Sequence, residues 1–302
     1  MVRRGGRVFI WSRGEELITE RFPDLAEPAA LLPEGTVLDG EILPWRDGPL
    51  PFAQLQRRIG RKQLGPGILA EVPVVLLAYD LLELAGMDLR EQPLADRRAR
   101  LAALLRGTPA AGRFPLSPAL AVPDWDAARE GYRSARAQGA EGLMLKRLDS
   151  AYGVGRRKGA WWKWKVAPFT VDAVLMYAQR GHGRRSSFYS DYTFGVWSGP
   201  DEAPELVPVG KAYFGFTDEE LRELDRFVRN NTVERFGPVR AVRAEPGHGL
   251  VLEVAFEGLN RSTRHRSGIA MRFPRISRLR WDKPPAEADR LETLEKLLPE
   301  GA

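Results

Sequence analysis

The sequence predicts an α+β protein of two domains, a mixed helix-and-strand domain over residues 1–167 and a strand-dominated domain over 168–302. Three observations carry this. A chain of 302 residues suits two domains of ordinary size. Helical and strand periods are interleaved as far as Ala167-Pro168, where a proline interrupts both. From Phe169 onward strand patterns dominate, with a single strong helix after the third strand. Hydrophobic residues make up 43% and charged residues 28%, the balance of a folded chain.

The elements follow in order. Gly5-Gly6 is a turn signal ahead of a strand Arg7–Trp11, but only four residues precede it, too short an arm to make a useful partner. Short strands are expected at Thr36–Leu38 and Ile42–Trp45, with Asp39-Gly40-Glu41 between them, and a long buried strand over Val72–Leu82. Leu94–Leu105 has helical spacing with an Arg-rich opposite face. Trp125–Gln138 is a second helix closed by Gly139, followed by strands Gly142–Arg147 and Trp161–Val166. In the second domain, strands are expected at Phe169–Gln179, Tyr192–Trp197 and Glu205–Phe216. A helix then opens on the capping box Thr217-x-x-Glu220 and carries the stripe Leu221, Leu224, Phe227, Val228. Strands Val239–Ala244 and Leu250–Phe256, an extended piece Met271–Leu279 and a terminal helix Arg290–Leu298 complete the reading. That order is the order of a small oligonucleotide-binding (OB) barrel.

Composition excludes several chemistries. There is no cysteine, hence no disulfide, Cys-ligated zinc, iron–sulfur cluster or thiol nucleophile. His182, His248 and His265 are too scattered to suggest a metal cage. No apolar run reaches the length of a membrane span, and the first six residues have no signal core, so a cytoplasmic location is expected. The net charge of +6 is unevenly placed: residues 1–167 hold 26 Lys+Arg against 20 Asp+Glu, and 168–302 hold 20 against 20. Segments 146–165 and 261–283 are the basic stretches, the latter with eight Lys+Arg and one acid, Asp282. Both suit a polyanion partner, and both suit an ordinary solvated surface.

The most informative cluster is Trp161-Trp162-Lys163-Trp164-Lys165. In a strand, Lys163 and Lys165 share a face with Trp161, and two ammonium groups about 7 Å apart call for an anion between them, phosphate above all. Arg156, Arg157 and Lys158 lie just upstream in a Gly-bounded loop. Glu41 and Glu141, each in an acid–glycine context, are the carboxylates placed to share Mg²⁺ with phosphate oxygens, although Asp-Gly is also a common turn. Tyr79-Asp80 ends the buried strand, and Ser12-Arg13-Gly14 ends the first. Near the C-terminus stand Arg272, Arg275, Arg278 and then Arg280-Trp281-Asp282-Lys283, where Asp282 is placed to be the counter-ion of Arg278 and Arg280.

Taken together, Ser12-Arg13-Gly14, Asp39-Gly40-Glu41, Tyr79-Asp80, Glu141 to Lys146, Trp161 to Lys165 and Arg280 to Lys283 resemble the collinear motifs of ATP-dependent DNA ligases. The resemblance covers nearly the whole chain. It implies an antiparallel-sheet nucleotidyltransferase (adenylation) domain followed by an OB-fold barrel, with ATP and Mg²⁺ as cofactors and nicked duplex DNA as partner, acting as a monomer. It further implies that Arg13, Glu41, Tyr79, Arg157 and Lys163 contact the nucleotide, with Tyr79 stacked on adenine. Glu41 and Glu141 would hold the metal, and Lys165 the α-phosphate. Arg280, Asp282 and Lys283 would orient the leaving pyrophosphate, and Arg156, Lys158, Arg272, Arg275 and Arg278 would meet DNA phosphates.

One departure is severe. Ligases of this family form lysyl–AMP through Lys-x-Asp-Gly upstream of the Ser-Arg element. None of the eight lysines here stands in that motif, and none precedes Arg13. The chain therefore reads as a catalytic core beginning after its nucleophile. An RNA ligase or guanylyltransferase on the same scaffold, and a non-catalytic nucleic-acid-binding relic, are the alternatives.

Overall fold

The computed structural model describes residues 1–61, 63–155, 157–181, 187–263 and 265–298. Two compact units divide the chain, Met1–Lys165 and Val166–Ala302. Both are α+β, and the named strands pair antiparallel throughout.

In the first unit Val2–Arg4 (β1) and Arg7–Phe9 (β2) form a hairpin. Gly5 and Gly6 hold φ of 61° and 69°, which a two-residue turn of this hand requires and glycine supplies without steric cost. The four-residue arm does pair, contrary to expectation. Its other edge bonds to Thr36–Pro44 (β3) through Val2↔Val37 and Arg3↔Thr36, and bonding on two edges compensates for its length. The segment Asp39-Gly40-Glu41 is likewise no turn. It lies inside the nine-residue β3, because the neighbouring strand absorbs the irregularity.

That neighbour is Val74–Leu84 (β4), and with Met87–Asp88 (β5) the sheet order is β2-β1-β3-β4-β5. Pro23–Ala29 (α1), Phe52–Ile59 (α2) and Pro66–Glu71 (α3) are six to eight residues long, too short to show a period in sequence. Leu94–Arg106 (α4) packs on β4 through Leu101 and Leu105, in a core shared with Leu25, Leu38, Leu76, Leu81 and Phe114. Trp125–Ser134 (α5) is capped by Asp124, which accepts from the Ala127 backbone N–H at 2.8 Å. Gly142–Lys146 (β6) and Trp161–Lys165 (β7) then form a separate two-stranded ribbon.

The second unit is built around a long strand, Phe169–Arg180 (β8). One edge pairs with Tyr189–Ser198 (β9), which continues to Glu205–Ala212 (β10). The helix Asp218–Asn231 (α6) follows, with the Thr217/Glu220 capping box formed and Leu221, Leu224 and Val228 buried. Thr232–Phe236 (β11) and Val239–Val242 (β12) come next, and Val251–Phe256 (β13) after them. The other edge of β8 is divided: its first half pairs with β13 and its second half with β12. A strand that serves three neighbours must curl, and the sheet is accordingly a half-barrel of the OB type. The expected piece Met271–Leu279 is two strands, Ile269–Arg272 (β15) and Arg275–Arg280 (β16), broken where Phe273 takes φ 51° before Pro274. β15 pairs with Gly258–Arg261 (β14) and β16 with β13. The core holds Val171, Leu175, Phe194, Leu252, Phe256 and Ile276, and Leu291–Glu295 (α7) buries Leu294 against it.

Candidate functional site

The β6–β7 ribbon sorts the first unit's motif residues by face. Its register is Lys146↔Trp161, Met144↔Lys163 and Gly142↔Lys165, so Lys146, Trp161, Lys163 and Lys165 share one side. The opposite side packs on α5, where Trp164 stacks on Tyr132 with ring centres 4.6 Å apart. Gly142 is required here. Its φ is 134°, and a Cβ on it would lie 2.0 Å from the Trp164 carbonyl oxygen. The Glu141-Gly142 pair thus delivers Glu141 to the ribbon's end, where its carboxylate accepts from Lys163 Nζ at 2.9 Å. Both side chains are partly exposed, so the pair contributes about 0–1 kcal/mol and either partner is readily exchanged for a phosphate or a metal.

Tyr79 sits at a β-bulge. Asp39 faces Asp80 and Gly40 faces Ala78, which leaves Tyr79 unmatched and re-aims its ring. Its hydroxyl donates to Asp39 Oδ1 at 3.0 Å, and Tyr152 donates to Asp39 Oδ2 at 2.7 Å. Burial first, then the Asp39 charge and hydrogen bond, push both phenols well above the ordinary tyrosine value. The Lys146 ammonium lies 4.3 Å from the Tyr79 ring centre and 3.9 Å from that of Trp161. Burial lowers its pKa, while the Asp80 and Asp39 carboxylates oppose that shift. Asp80 has a structural task. It receives Arg97 Nε and Nη2 at 2.8 and 2.9 Å, and both side chains are fully buried. Arg97 also binds the Ser150 carbonyl, and Arg98 binds the Tyr79 carbonyl, so α4 fixes both the strand and the loop after β6.

The other expected residues described in this unit lie at its surface. Arg13 is exposed on the turn after β2, and Glu41 is exposed on β3. Arg157 and Lys158 are exposed in the loop before β7, while Arg156 lies outside the described residues. Among the described residues no three His, Asp or Glu side chains converge to hold a metal ion unaided. Mg²⁺ commonly takes one or two carboxylates together with phosphate oxygens, so Glu41 and Glu141 fit only a metal shared with a bound phosphate.

In the second unit Arg280 and Lys283 converge on Asp172 of β8, at 3.1 and 2.8 Å, and Asp282 forms a two-point pair with Arg280. Asp172, 108 residues from Arg280, is therefore the counter-ion that Arg280 and Lys283 share, and sequence reasoning missed it. Arg275 is held by Glu257 at 3.1 Å, Arg272 lies over the Phe273 ring, and Arg278 is exposed. Lys146, Tyr152, Asp39 and Arg97 were also missed as site residues. The first and third stood inside recognised motifs, whereas nothing local marked the other two.

Comparison with known proteins agrees with this geometry. Residues 1–165 match the family described as ATP dependent DNA ligase domain, and residues 185–283 match the ATP dependent DNA ligase C terminal region. The chain belongs to the ATP-dependent DNA ligase family. A probable DNA ligase of Opitutus terrae is 42% identical over 98% of this chain and 31% of its own length. A probable DNA ligase of Koribacter versatilis is 38% identical over 96% of this chain and 53% of its own length. The chain thus spans about a third to a half of these ligase relatives. A solved structure of a Lig E DNA ligase superposes with a TM-score of 0.60 at 18% identity, covering 92% of this chain and 88% of that one, which shows a shared ligase fold.

Proposed function

We propose that the chain carries the nucleotidyl-transfer and nick-sealing core of an ATP-dependent DNA ligase. The observation that carries the reading is the ribbon register, which sets Lys163 and Lys165 on the face that also presents Trp161, Lys146 and Tyr79. Cations in line with an aromatic face suit a nucleotide, with its base toward Tyr79 and its phosphates toward the lysines. Arg13, Glu41 and Arg157 complete the nucleotide contacts, and Lys165 holds the α-phosphate. Mg²⁺ shared between Glu41, Glu141 and phosphate would neutralise charge that develops on the reacting oxygens. In the second unit Arg280, Asp282 and Lys283 orient pyrophosphate, and Lys158, Arg272, Arg275 and Arg278 meet DNA phosphates. Nicked duplex DNA as substrate, action as a monomer and a cytoplasmic location belong to the same reading. No helix among the described residues is long and apolar enough to cross a membrane.

Both family descriptions name DNA ligases, which favours this over an RNA ligase or a guanylyltransferase. The 302 residues contain no Lys-x-Asp-Gly, so the step to ask of them is the last one. In that step the 3′-hydroxyl attacks the adenylylated 5′-phosphate, a phosphodiester bond forms, AMP departs with the electrons of the broken P–O bond, and the hydroxyl proton passes to solvent. The test is sealing of a pre-adenylylated nick with Mg²⁺ and no ATP. Slow sealing is expected, reduced roughly 10²–10³-fold by Glu141→Ala, the usual loss for one preorganised electrostatic contact. A well-folded chain that binds nicked DNA and never seals this substrate is the relic instead.

A further inference from the structure

A second aromatic position lies in the other unit, in chain between Arg280 and Asp282. Trp281 follows β16 and is 53% exposed, yet it is held in place. Its indole N–H donates to Glu223 Oε2 at 3.2 Å, and its ring lies tilted against Phe227 with centres 5.8 Å apart. Clefts of about 350 and 420 Å³ open beside it, and both are lined by Trp281, Phe227 and Asn231. An exposed tryptophan fixed at its edge keeps a flat apolar face ready, with little ordering entropy left to lose on binding.

The chemistry around that face is selective. Glu223, Arg226, Phe227 and Asn230 are spaced to lie on one side of α6. Arg226 and Asn230 are exposed and, among the described residues, have no side-chain partner. Asp282, the nearest acid in sequence, is already occupied by Arg280. The groove therefore offers a stacking plane, an uncommitted amide and an uncommitted guanidinium. A nucleobase with its phosphate matches all three: the base stacks, the amide meets its polar edge, and the guanidinium takes the phosphate. A duplex keeps its base faces stacked inside, so the matching ligand is unpaired. We propose that Trp281 and Arg226 form a binding site for an unpaired nucleotide of single-stranded nucleic acid.

The test uses the full chain and a fluorescent oligothymidylate, with binding followed by anisotropy across a salt series. Trp281→Ala should weaken binding roughly 5- to 100-fold with the salt slope unchanged, since stacking releases no counterions. Trp281→Phe should keep most of the affinity. Arg226→Ala should instead reduce the slope by about one phosphate contact. Trp281→Leu, apolar but without an aromatic plane, carries the alanine expectation should that variant not fold. Wild-type affinity in both Trp281→Ala and Trp281→Leu, or a changed slope with unchanged affinity, overturns the site. So does a phenylalanine variant no better than leucine, which would suit a protein surface in this groove. The mixture holds no ATP, metal or nick, so failure of the sealing reading leaves this result untouched.

Discussion

Asp39 and Tyr152 stand 113 residues apart in the chain, and their side chains meet in a hydrogen bond of 2.7 Å. The other oxygen of the same carboxylate receives Tyr79. One acid thus ties the aromatic residue of β4 to the loop that carries Arg157, so the parts proposed to face base and phosphate share a common anchor.

Removing the anchor should be costly. Asp39→Ala leaves two partly buried hydroxyls without their charged acceptor, each such bond being worth about 1.5–3 kcal/mol. Because both phenols are only partly buried, solvent recovers some of this, and urea titration should show a loss of about 2–4 kcal/mol, less than the sum of the two. A change below half a kcal/mol would mean that solvent satisfies both phenols equally well.

The same contacts give a signed pH response. Both phenols have folded pKa values raised above the ordinary 10.0. Above that value the unfolded chain releases protons that the folded chain keeps, so this contribution to stability is full below pH 10.0 and is lost as pH rises through the folded values. The double variant Tyr79→Phe, Tyr152→Phe should show a shallower fall in urea midpoint from about pH 9 to 11. Parallel curves for variant and wild type would contradict the assignment.

The Asp80–Arg97 pair supports the site from beneath. Arg97→Leu leaves a fully buried carboxylate unpaired and should cost about 3–5 kcal/mol. Arg97→Leu combined with Asp80→Leu should recover a substantial part of that loss, because the stranded charge is gone. Additive losses in the double variant would show that the pair's contacts to backbone carbonyls, and not its mutual charge, hold α4 in place.

For DNA binding, Arg278 and Arg275 should differ although both were expected to meet phosphates. Arg278 is exposed on β16, and Arg278→Ala should lower the slope of log affinity against log salt by about one. Arg275 is already engaged by Glu257, and Arg275→Ala should change the slope less and the thermal midpoint more. Equal slopes for the two variants, matched by equal midpoints, would erase the distinction.

Much of this architecture was legible in the residues. The long strand over Val74–Leu84, the helix at Leu94, the capping box at Thr217 and the shared face of Trp161, Lys163 and Lys165 all follow from local period and turn chemistry, although Tyr79-Asp80, expected to end that strand, lies inside it. Parts that depend on distant partners were not legible. Asp172 carries no local sign that it will meet Arg280 and Lys283, and nothing near the three-residue β1 announces that β3 will supply its second edge. Asp39-Gly40-Glu41 looked like a turn because Asp-Gly usually is one, and only the partner strand decides otherwise.

The partner strand decides it by counting. Against β3, β4 skips one residue at Leu82 and another at Tyr79. Each skip exchanges the inward and outward sides of β4 relative to its neighbour, and the second restores what the first inverted. Asp80 and Leu81 occupy the short interval in which parity is reversed, and Asp80, Leu81 and Leu82 are buried in succession. A single-residue insertion or deletion between Tyr79 and Leu82 would leave that reversal uncorrected along the rest of the strand, turning either Asp80 or the aliphatic residues beyond it toward the wrong side. Length variation among functional versions of this domain should therefore be confined to its turns and absent from these four positions.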